Sequence, residues 1–290
     1  MSEWEGKTRG GVGGYKIFVF LIKHTGVNTA YFILIFVSLY FVVAAPKATR
    51  SIYKYLRKVH HFNRLKAGIG VFRTFYVFGQ TLIDKLAIGS GQKSKFEYKF
   101  NGRENLESLS SHGGIILSAH LGNWEVAGFL LGDINSSTNI LMYQAEHEKI
   151  KAFLENVLTE YEMNVIPIKD DLSHIFKLTN VLANKEVVCI HGDRFMKGSR
   201  VVKKKFLGHD AYFPLGPFRI ACSLNARTTM AYAFREKRKT YQLSASQIIE
   251  PTKDPELLLD KYIELLETKM RMYPYQWFNF YDFWNFSSKP

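Results

Sequence analysis

The residues from His120 to Glu125 combine the side-chain types that proton transfer requires. A histidine has an ordinary pKa of about 6.5 and accepts a proton near neutral pH, and a nearby carboxylate can orient its ring. His120 follows an apolar stretch, 113–119, that has the length of a buried strand. Sites are commonly found at this edge of an α/β sheet. The pattern therefore predicts a histidine base at the mouth of a cleft.

The backbone must turn between the two side chains if they are to face one pocket. Residues five apart on one continuous helix point about 140° apart, because each residue turns by roughly 100°. Gly122 relaxes the backbone and Asn123 can cap a helix. Glu125 then falls in the first helical turn, where negative charge is favoured. We therefore expect Glu125 to steady the His120 ring.

A second predicted strand, 186–191, also ends in polar residues. Asp193 and Arg194 lie in the loop that follows it. The carboxyl ends of parallel strands meet at one rim of a sheet, so this loop is expected beside His120. Asp193 is the alternative partner of the His120 ring, or a substrate ligand. Arg194 is placed to contact a phosphate or an oxyanion.

A helix predicted to begin at Gly216 and Pro217 supplies a third candidate element. The free backbone N–H groups at such a helix start can bind an anion or an oxyanion. An ordinary helix start explains the same residues equally well.

Four side chains in these loops are also possible metal ligands: His120, Glu125, His191 and Asp193. Their spacing fits no common zinc pattern, so we expect no metal at the site.

The chain is strongly basic. Lys and Arg number 39 and Asp and Glu 26, which gives a formal net charge of +13. A surplus of this size favours an anionic partner, such as nucleic acid, an acidic carrier protein or anionic lipid headgroups. The two cysteines, Cys189 and Cys222, lie in apolar stretches, which is typical of core thiols in a reducing compartment.

The N-terminal part contains a long uncharged segment. There is no charged residue from Thr25 to Pro46, and 30–45 is almost wholly apolar. About 20 such residues are needed to span a bilayer, so we expect membrane attachment, with a buried or interfacial helix as the alternative. Basic residues flank both ends of the segment, and they leave its orientation undecided.

Helical and strand-like segments alternate after this N-terminal part. The pattern predicts an α/β fold with a mostly parallel central sheet covered by helices and an N-terminal membrane-associated helix. We divide the chain into a membrane anchor (1–49), a helical segment that packs on the catalytic domain (50–94) and the catalytic domain (95–290). Strands are expected at 96–100, 114–119, 139–143, 164–168, 186–191, 228–234 and 241–249, and helices at 50–88, from 124, 148–161, 172–184, 217–224 and 255–272.

Over most of 15–284 the chain resembles the lipid A late acyltransferase family, within the lysophospholipid acyltransferase superfamily. The resemblance rests on the His-x-x-x-x-Glu pattern at 120–125, the Gly-Asp-Arg loop at 192–194, Gly198, the helix at Gly216 and the ending 274–277. It implies transfer of a fatty acyl group from acyl carrier protein or a coenzyme A thioester to a lipid or glycolipid hydroxyl or amine. No cofactor beyond that thioester is implied. The implied location is the bacterial inner membrane, with the catalytic domain on the cytoplasmic side.

The chain departs from the family pattern at two positions. It has Gln144 where members often have arginine, and Arg194 where they often have glutamine. Both positions lie where contacts with the substrate are expected, so the acceptor need not be lipid A. The chain is more similar to homologues that acylate aryl-polyene or flexirubin-type pigments.

The resulting hypothesis is direct transfer with His120 as general base and Glu125 or Asp193 as its partner. Asn123, Trp124, Arg194 and Gly216 are the expected substrate contacts. One alternative is a non-catalytic basic membrane module that binds anionic lipid or nucleic acid, although for the transferase we expect no nucleic-acid partner. The other is a thioester hydrolase that uses the same residues with water as the acceptor.

Overall fold

The structure of the protein is a computed structural model that describes residues 12–131, 138–142, 163–168, 171, 173–196 and 198–285. The described strands are β1 (Glu97–Asn101), β2 (Gly114–Ser118), β3 (Thr138–Met142), β4 (Met163–Pro167), β5 (Val187–His191), β6 (Val201–Phe206), β7 (His209–Pro214), β8 (Thr228–Lys237) and β9 (Thr240–Ala245). The described helices are α1 (Val12–His24), α2 (Val27–Ala44), α3 (Pro46–Lys58), α4 (Arg64–Ala87), α5 (Arg103–His112), α6 (Trp124–Leu131), α7 (Ser173–Ala183), α8 (Gly216–Ser223) and α9 (Pro255–Met272).

Seven strands form one sheet in the spatial order β1-β9-β8-β2-β5-β3-β4. Strand β2 lies at its centre and pairs in parallel with both β5 and β8. The pairs β3–β4, β3–β5 and β1–β9 are parallel too, whereas β8 and β9 form an antiparallel hairpin. The prediction of an α/β fold with a mostly parallel sheet is confirmed.

Strand β2 is buried along its whole length, as its unbroken apolar sequence predicts. Successive side chains of a strand point to opposite faces of the sheet. Ile115 and Leu117 pack in the large core cluster with α9 and the C-terminal aromatic residues. Ile116 packs on the other face with Leu106 and Leu109 of α5. The central strand is therefore fixed from both sides, which gives the loop after it a rigid support.

Two details differ from the predictions. The stretch 50–88, expected to be helical, is interrupted at 59–63, and the Asn63 side chain caps α4 by accepting from the Lys66 N–H at 2.8 Å. The antiparallel hairpin β6–β7 was not predicted, because the three successive lysines at 203–205 interrupt the apolar pattern of a buried strand. The predicted helix 148–161 and Gln144 lie outside the described residues.

Helix α2 packs antiparallel to α4. Its Tyr31 hydroxyl donates to Asp84 near the C-terminal end of α4, and its Phe41 ring stacks on Phe75 nearer the start of α4. Asp84 is fully buried and forms an ion pair with Arg235 of β8 at 2.5 Å. This network attaches the apolar helix directly to the sheet.

Candidate active site

His120 and Asp193 form a hydrogen-bonded pair. His120 Nδ1 lies 2.9 Å from Asp193 Oδ1, and the His120 backbone N–H donates to Asp193 Oδ2 at 3.0 Å. The pairing follows from strand register, since Ser118 at the end of β2 lies opposite His191 at the end of β5. A carboxylate only accepts hydrogen bonds, so Nδ1 carries the proton and Nε2 is the basic nitrogen of the ring.

Glu125 binds a different partner from the one expected. Its carboxylate forms an ion pair with Lys85 Nζ of α4 at 2.5 Å, and both side chains are largely buried. The expectation that Glu125 steadies the His120 ring is therefore corrected. Asp193 occupies that place because the register of the adjacent strand brings it there, whereas Glu125 neutralises a buried lysine.

The electrostatic surroundings keep His120 neutral and Asp193 ionised. Burial, and then the Arg194 guanidinium, lower the pKa of His120 below its ordinary value, although Asp193 offsets part of this effect. Burial opposes ionisation of Asp193, but the charge and hydrogen bond of His120, together with Arg194, outweigh it and hold its pKa far below the usual range. A neutral imidazole beside a carboxylate is the state that a general base requires.

The His191 ring packs against the His120 ring. Its ring centroid lies 4.6 Å from that of His120 with a tilt of 31°, and Trp124 meets it edge-on at 5.2 Å. Burial, and then the neighbouring His120, lower the pKa of His191 to about 3, so this ring is neutral too. Trp124 and His191 line a small apolar cavity together with Cys189, Ala127 and Gly128. Trp124, which was predicted to contact the substrate, therefore faces a cavity beside the His120–Asp193 pair. We call this pair the dyad.

Cys189 is chemically inert in this position. Burial raises the pKa of its thiol to about 12, so the sulfur remains protonated at neutral pH. Only the thiolate is an effective nucleophile. The cavity therefore offers apolar surface rather than a covalent route.

His120, His191 and Asp193 each offer one potential metal-ligand atom. These atoms lie within 4.8 Å of one another and could together hold a metal ion. The Asp193 oxygens accept instead from the His120 backbone and ring. The expectation that the site works without a metal remains a prediction.

The turn after His120 is held by glycine and by an asparagine cap, as predicted. Gly122 has a φ of 74°, and a Cβ there would lie 2.3 Å from the Ala233 carbonyl oxygen, so only glycine fits. Asn123 Oδ1 accepts from the Val126 N–H at 3.3 Å and so caps α6. Its Nδ2 donates to Thr81 O and the Tyr241 hydroxyl.

Asn123 is only 2% exposed, and both ends of its amide are engaged within the protein. Asn123 therefore has a structural role in the turn, and the substrate contact expected of it remains a prediction.

Arg194 lies beside Asp193 and donates from Nη2 to the Phe278 carbonyl oxygen at 2.6 Å. The Phe278 N–H in turn donates to the His120 carbonyl oxygen at 3.0 Å. The sequence patterns did not identify this C-terminal contact or the partner role of Lys85. The Pro-x-Gln-Trp ending at 274–277 was the available signal for the first of them.

Helix α8 begins at Gly216 as expected, and its Phe218 ring lies against Gly192, next to the Asp193 loop. This places the start of α8 close to that loop, and substrate binding by Gly216 remains a prediction.

The basic side chain of Lys204 forms ion pairs within the protein, with Glu256 and Asp260 of α9.

Residues 71–285 match the family model for bacterial lipid A biosynthesis acyltransferases. Among solved structures, the 1-acyl-sn-glycerophosphate (LPA) acyltransferase PlsC from Thermotoga maritima is similar, with 13% identity and a TM-score of 0.39, and the match covers 83% of this chain and 96% of that one. The comparison with curated proteins found no match. Because the family model covers most of the chain, the protein belongs to the bacterial lipid A biosynthesis acyltransferase family and is a lipid acyltransferase.

Proposed function

We propose that the protein transfers a fatty acyl group from an acyl thioester to a hydroxyl or amine of a lipid or glycolipid, with His120 as general base. The observation that supports this is the His120–Asp193 pair at the open edge of the sheet. The acceptor oxygen or nitrogen attacks the thioester carbonyl while its proton passes to His120 Nε2. The C–S bond then breaks, and the leaving thiolate takes up that proton.

Asp193 and Arg194 have separate roles in this mechanism. Asp193 fixes the ring tautomer and stabilises the imidazolium that forms during transfer. Arg194 supplies positive charge beside the dyad, where it stabilises the negative oxygen of the tetrahedral intermediate. Glu125 acts indirectly, because its ion pair with Lys85 joins α6 to α4.

The pH dependence of kcat/KM follows from the lowered pKa of His120. We expect activity to fall on the acid side with an apparent pKa below about 6.5, since the protonated ring cannot act as a base. Replacing Arg194 with glutamine removes a charge that disfavours the imidazolium, so the acid limb should move to higher pH. Arg103→Gln, which removes an exposed partner of Glu107, is the control. An unshifted limb in Arg194→Gln would contradict this assignment.

The thioester donor is acyl carrier protein or coenzyme A, both of which are anionic and complement the net charge of +13. The experiment supplies each acyl thioester with a lipid extract and measures acylated lipid and free fatty acid separately. The transferase predicts acylated lipid as the main product. Free fatty acid formed at the turnover rate without an acceptor would instead favour the hydrolase.

For the membrane, we propose that α2 lies along the cytoplasmic face of the inner membrane instead of crossing it. The helix has the length and apolarity of a membrane span. One of its faces is nevertheless buried over several turns, at Val27, Ala30, Tyr31, Leu34 and Ser38. If α2 crossed the membrane, Tyr31 and the sheet residues that it contacts would lie in the hydrocarbon core. An open sheet cannot satisfy its backbone hydrogen-bonding groups there.

The outer face of α2 exposes large apolar side chains, including Phe32, Phe36 and Tyr40, each 60–65% exposed. We expect Phe32→Ser/Phe36→Ser to weaken binding to anionic vesicles at least about tenfold, because burying one such side chain contributes roughly 1.5–3 kcal/mol. Phe176→Ser, at an even more exposed position on α7, is the control and should bind normally. Unchanged vesicle binding by the double variant would refute this surface.

Cysteine labelling distinguishes lying from spanning. Thr25→Cys and Lys47→Cys are introduced at the two ends of α2 in a chain whose Cys189 and Cys222 are serine. An interfacial helix predicts labelling of both positions from the cytoplasmic side. Labelling from opposite sides would establish a span.

A further inference from the structure

We propose that Gln276 is a positioning residue of the active site, whose side chain fixes the segment 276–278 and thereby holds His120 in place. This proposal rests on the function proposed above. We call the segment 276–278 the C-terminal strap.

The strap pairs like a short antiparallel strand with the loop 119–123, which carries His120. We call this loop the catalytic loop. The Gly122 N–H donates to the Gln276 carbonyl oxygen at 2.9 Å, and the Phe278 N–H donates to the His120 carbonyl oxygen at 3.0 Å. Between them, Leu121 and Trp277 form an antiparallel bridge. The backbone on both sides of Leu121 is thus tied to residues more than 150 positions away in the sequence.

The Gln276 side chain anchors the strap to the sheet. Its Oε1 accepts from the Arg235 N–H at 3.0 Å, and its Nε2 donates to the Arg235 carbonyl oxygen at 2.7 Å. The carboxamide therefore makes the two hydrogen bonds that a neighbouring strand would make. Gln276 is buried, so these bonds are shielded from water.

Strand β2 ends too early to pair with β8 at Arg235. Strand β2 pairs with β8 only from Thr228 to Met230. Further along the same strand, the Ala233 carbonyl oxygen accepts from the Asn123 N–H at 2.7 Å, and Arg235 then binds Gln276. The catalytic loop and the Gln276 carboxamide thus continue the hydrogen bonding of β8 beyond the end of β2.

The strap also connects the His120 backbone with the Arg194 guanidinium. The Phe278 N–H binds the His120 carbonyl oxygen, and the Phe278 carbonyl oxygen accepts from Arg194 Nη2. A displacement of the strap therefore moves the base and the guanidinium together. Misplacing a catalytic group by about 1 Å can cost on the order of 10²-fold in rate.

The test replaces Gln276 with methionine, which keeps the length and volume of the side chain but removes its hydrogen bonds. We expect kcat to fall roughly 10- to 100-fold while KM for donor and acceptor stays within about threefold, because the binding surfaces are unchanged. Gln242→Met is the matched control, since the Gln242 amide also donates to backbone carbonyl oxygens, but to those of Lys99 and Leu243 rather than to the one that anchors the strap.

Amide hydrogen exchange separates positioning from general destabilisation. In Gln276→Met, peptides covering 118–123 should exchange faster while peptides from α9 keep wild-type protection. Wild-type kcat, or faster exchange throughout the domain, would overturn the proposal. If Gln276→Met is fully active and His120→Ala is inactive, only the role of the strap is wrong. If His120→Ala is also active, the proposed function itself fails.

Discussion

Replacing His120 with alanine is expected to lower kcat about 10³-fold while the protein remains folded. General-base catalysis contributes typically 10²- to 10⁴-fold, and no second base replaces the ring in the proposed mechanism. The imidazole is 26% exposed, and the backbone N–H that binds Asp193 remains in the variant. Steady-state transfer from acyl thioester to lipid, measured beside a thermal unfolding curve, provides the comparison.

His112→Ala is the matched control for this variant. His112 lies at the end of α5 and bonds locally, to the Ser108 carbonyl oxygen at 2.9 Å. Its removal should leave turnover unchanged. Near-normal turnover in His120→Ala would exclude the ring as the base, whatever the identity of the acceptor.

Asp193→Asn should lower kcat on the order of 10³- to 10⁴-fold. The asparagine keeps the shape of the side chain, and its oxygen can still accept from the His120 N–H. Its amide nitrogen would then face ring Nδ1, which favours the tautomer that carries the proton on Nε2 and so cannot act as a base. The kinetic measurement is the same, with Asp210→Asn in the exposed β6–β7 hairpin as the control.

The same variant has a predicted effect on acid stability. The pKa of Asp193 is depressed in the folded protein. Its carboxylate therefore stabilises the fold above the unfolded pKa of about 3.9, and this contribution is lost as the pH falls toward the folded value. Asp193→Asn should accordingly lose less stability than wild type between pH 5 and pH 3, by about 1 kcal/mol or more. Equal acid sensitivity of the two proteins, or full activity of the variant, would contradict the dyad.

Sequence patterns predicted the elements that carry the dyad, because buried parallel strands leave clear apolar runs. The stretches that became β2 and β5 placed His120 and Asp193 at one rim. The choice between Asp193 and Glu125 depended on strand register, which a single sequence does not specify. Glu125 is close in sequence, but Lys85, on a helix 40 positions earlier, binds it instead.

The missed features depend on long-range contacts. The Gln276 carboxamide completes a strand whose neighbour ends too early, and no local pattern reveals that vacancy. Lys204 pairs with two carboxylates of α9, which the local run of three lysines at 203–205 does not predict. In both cases the partner of the side chain is visible only in the folded chain.

Lipid mass spectrometry tests the central claim most directly. Cells that lack the protein are compared with cells that carry the wild-type chain or His120→Ala at equal abundance. Base-catalysed transfer predicts a lipid species heavier by one acyl chain with the wild-type protein and its absence with His120→Ala. The same species at wild-type levels in the His120→Ala cells would show that acylation does not depend on this histidine.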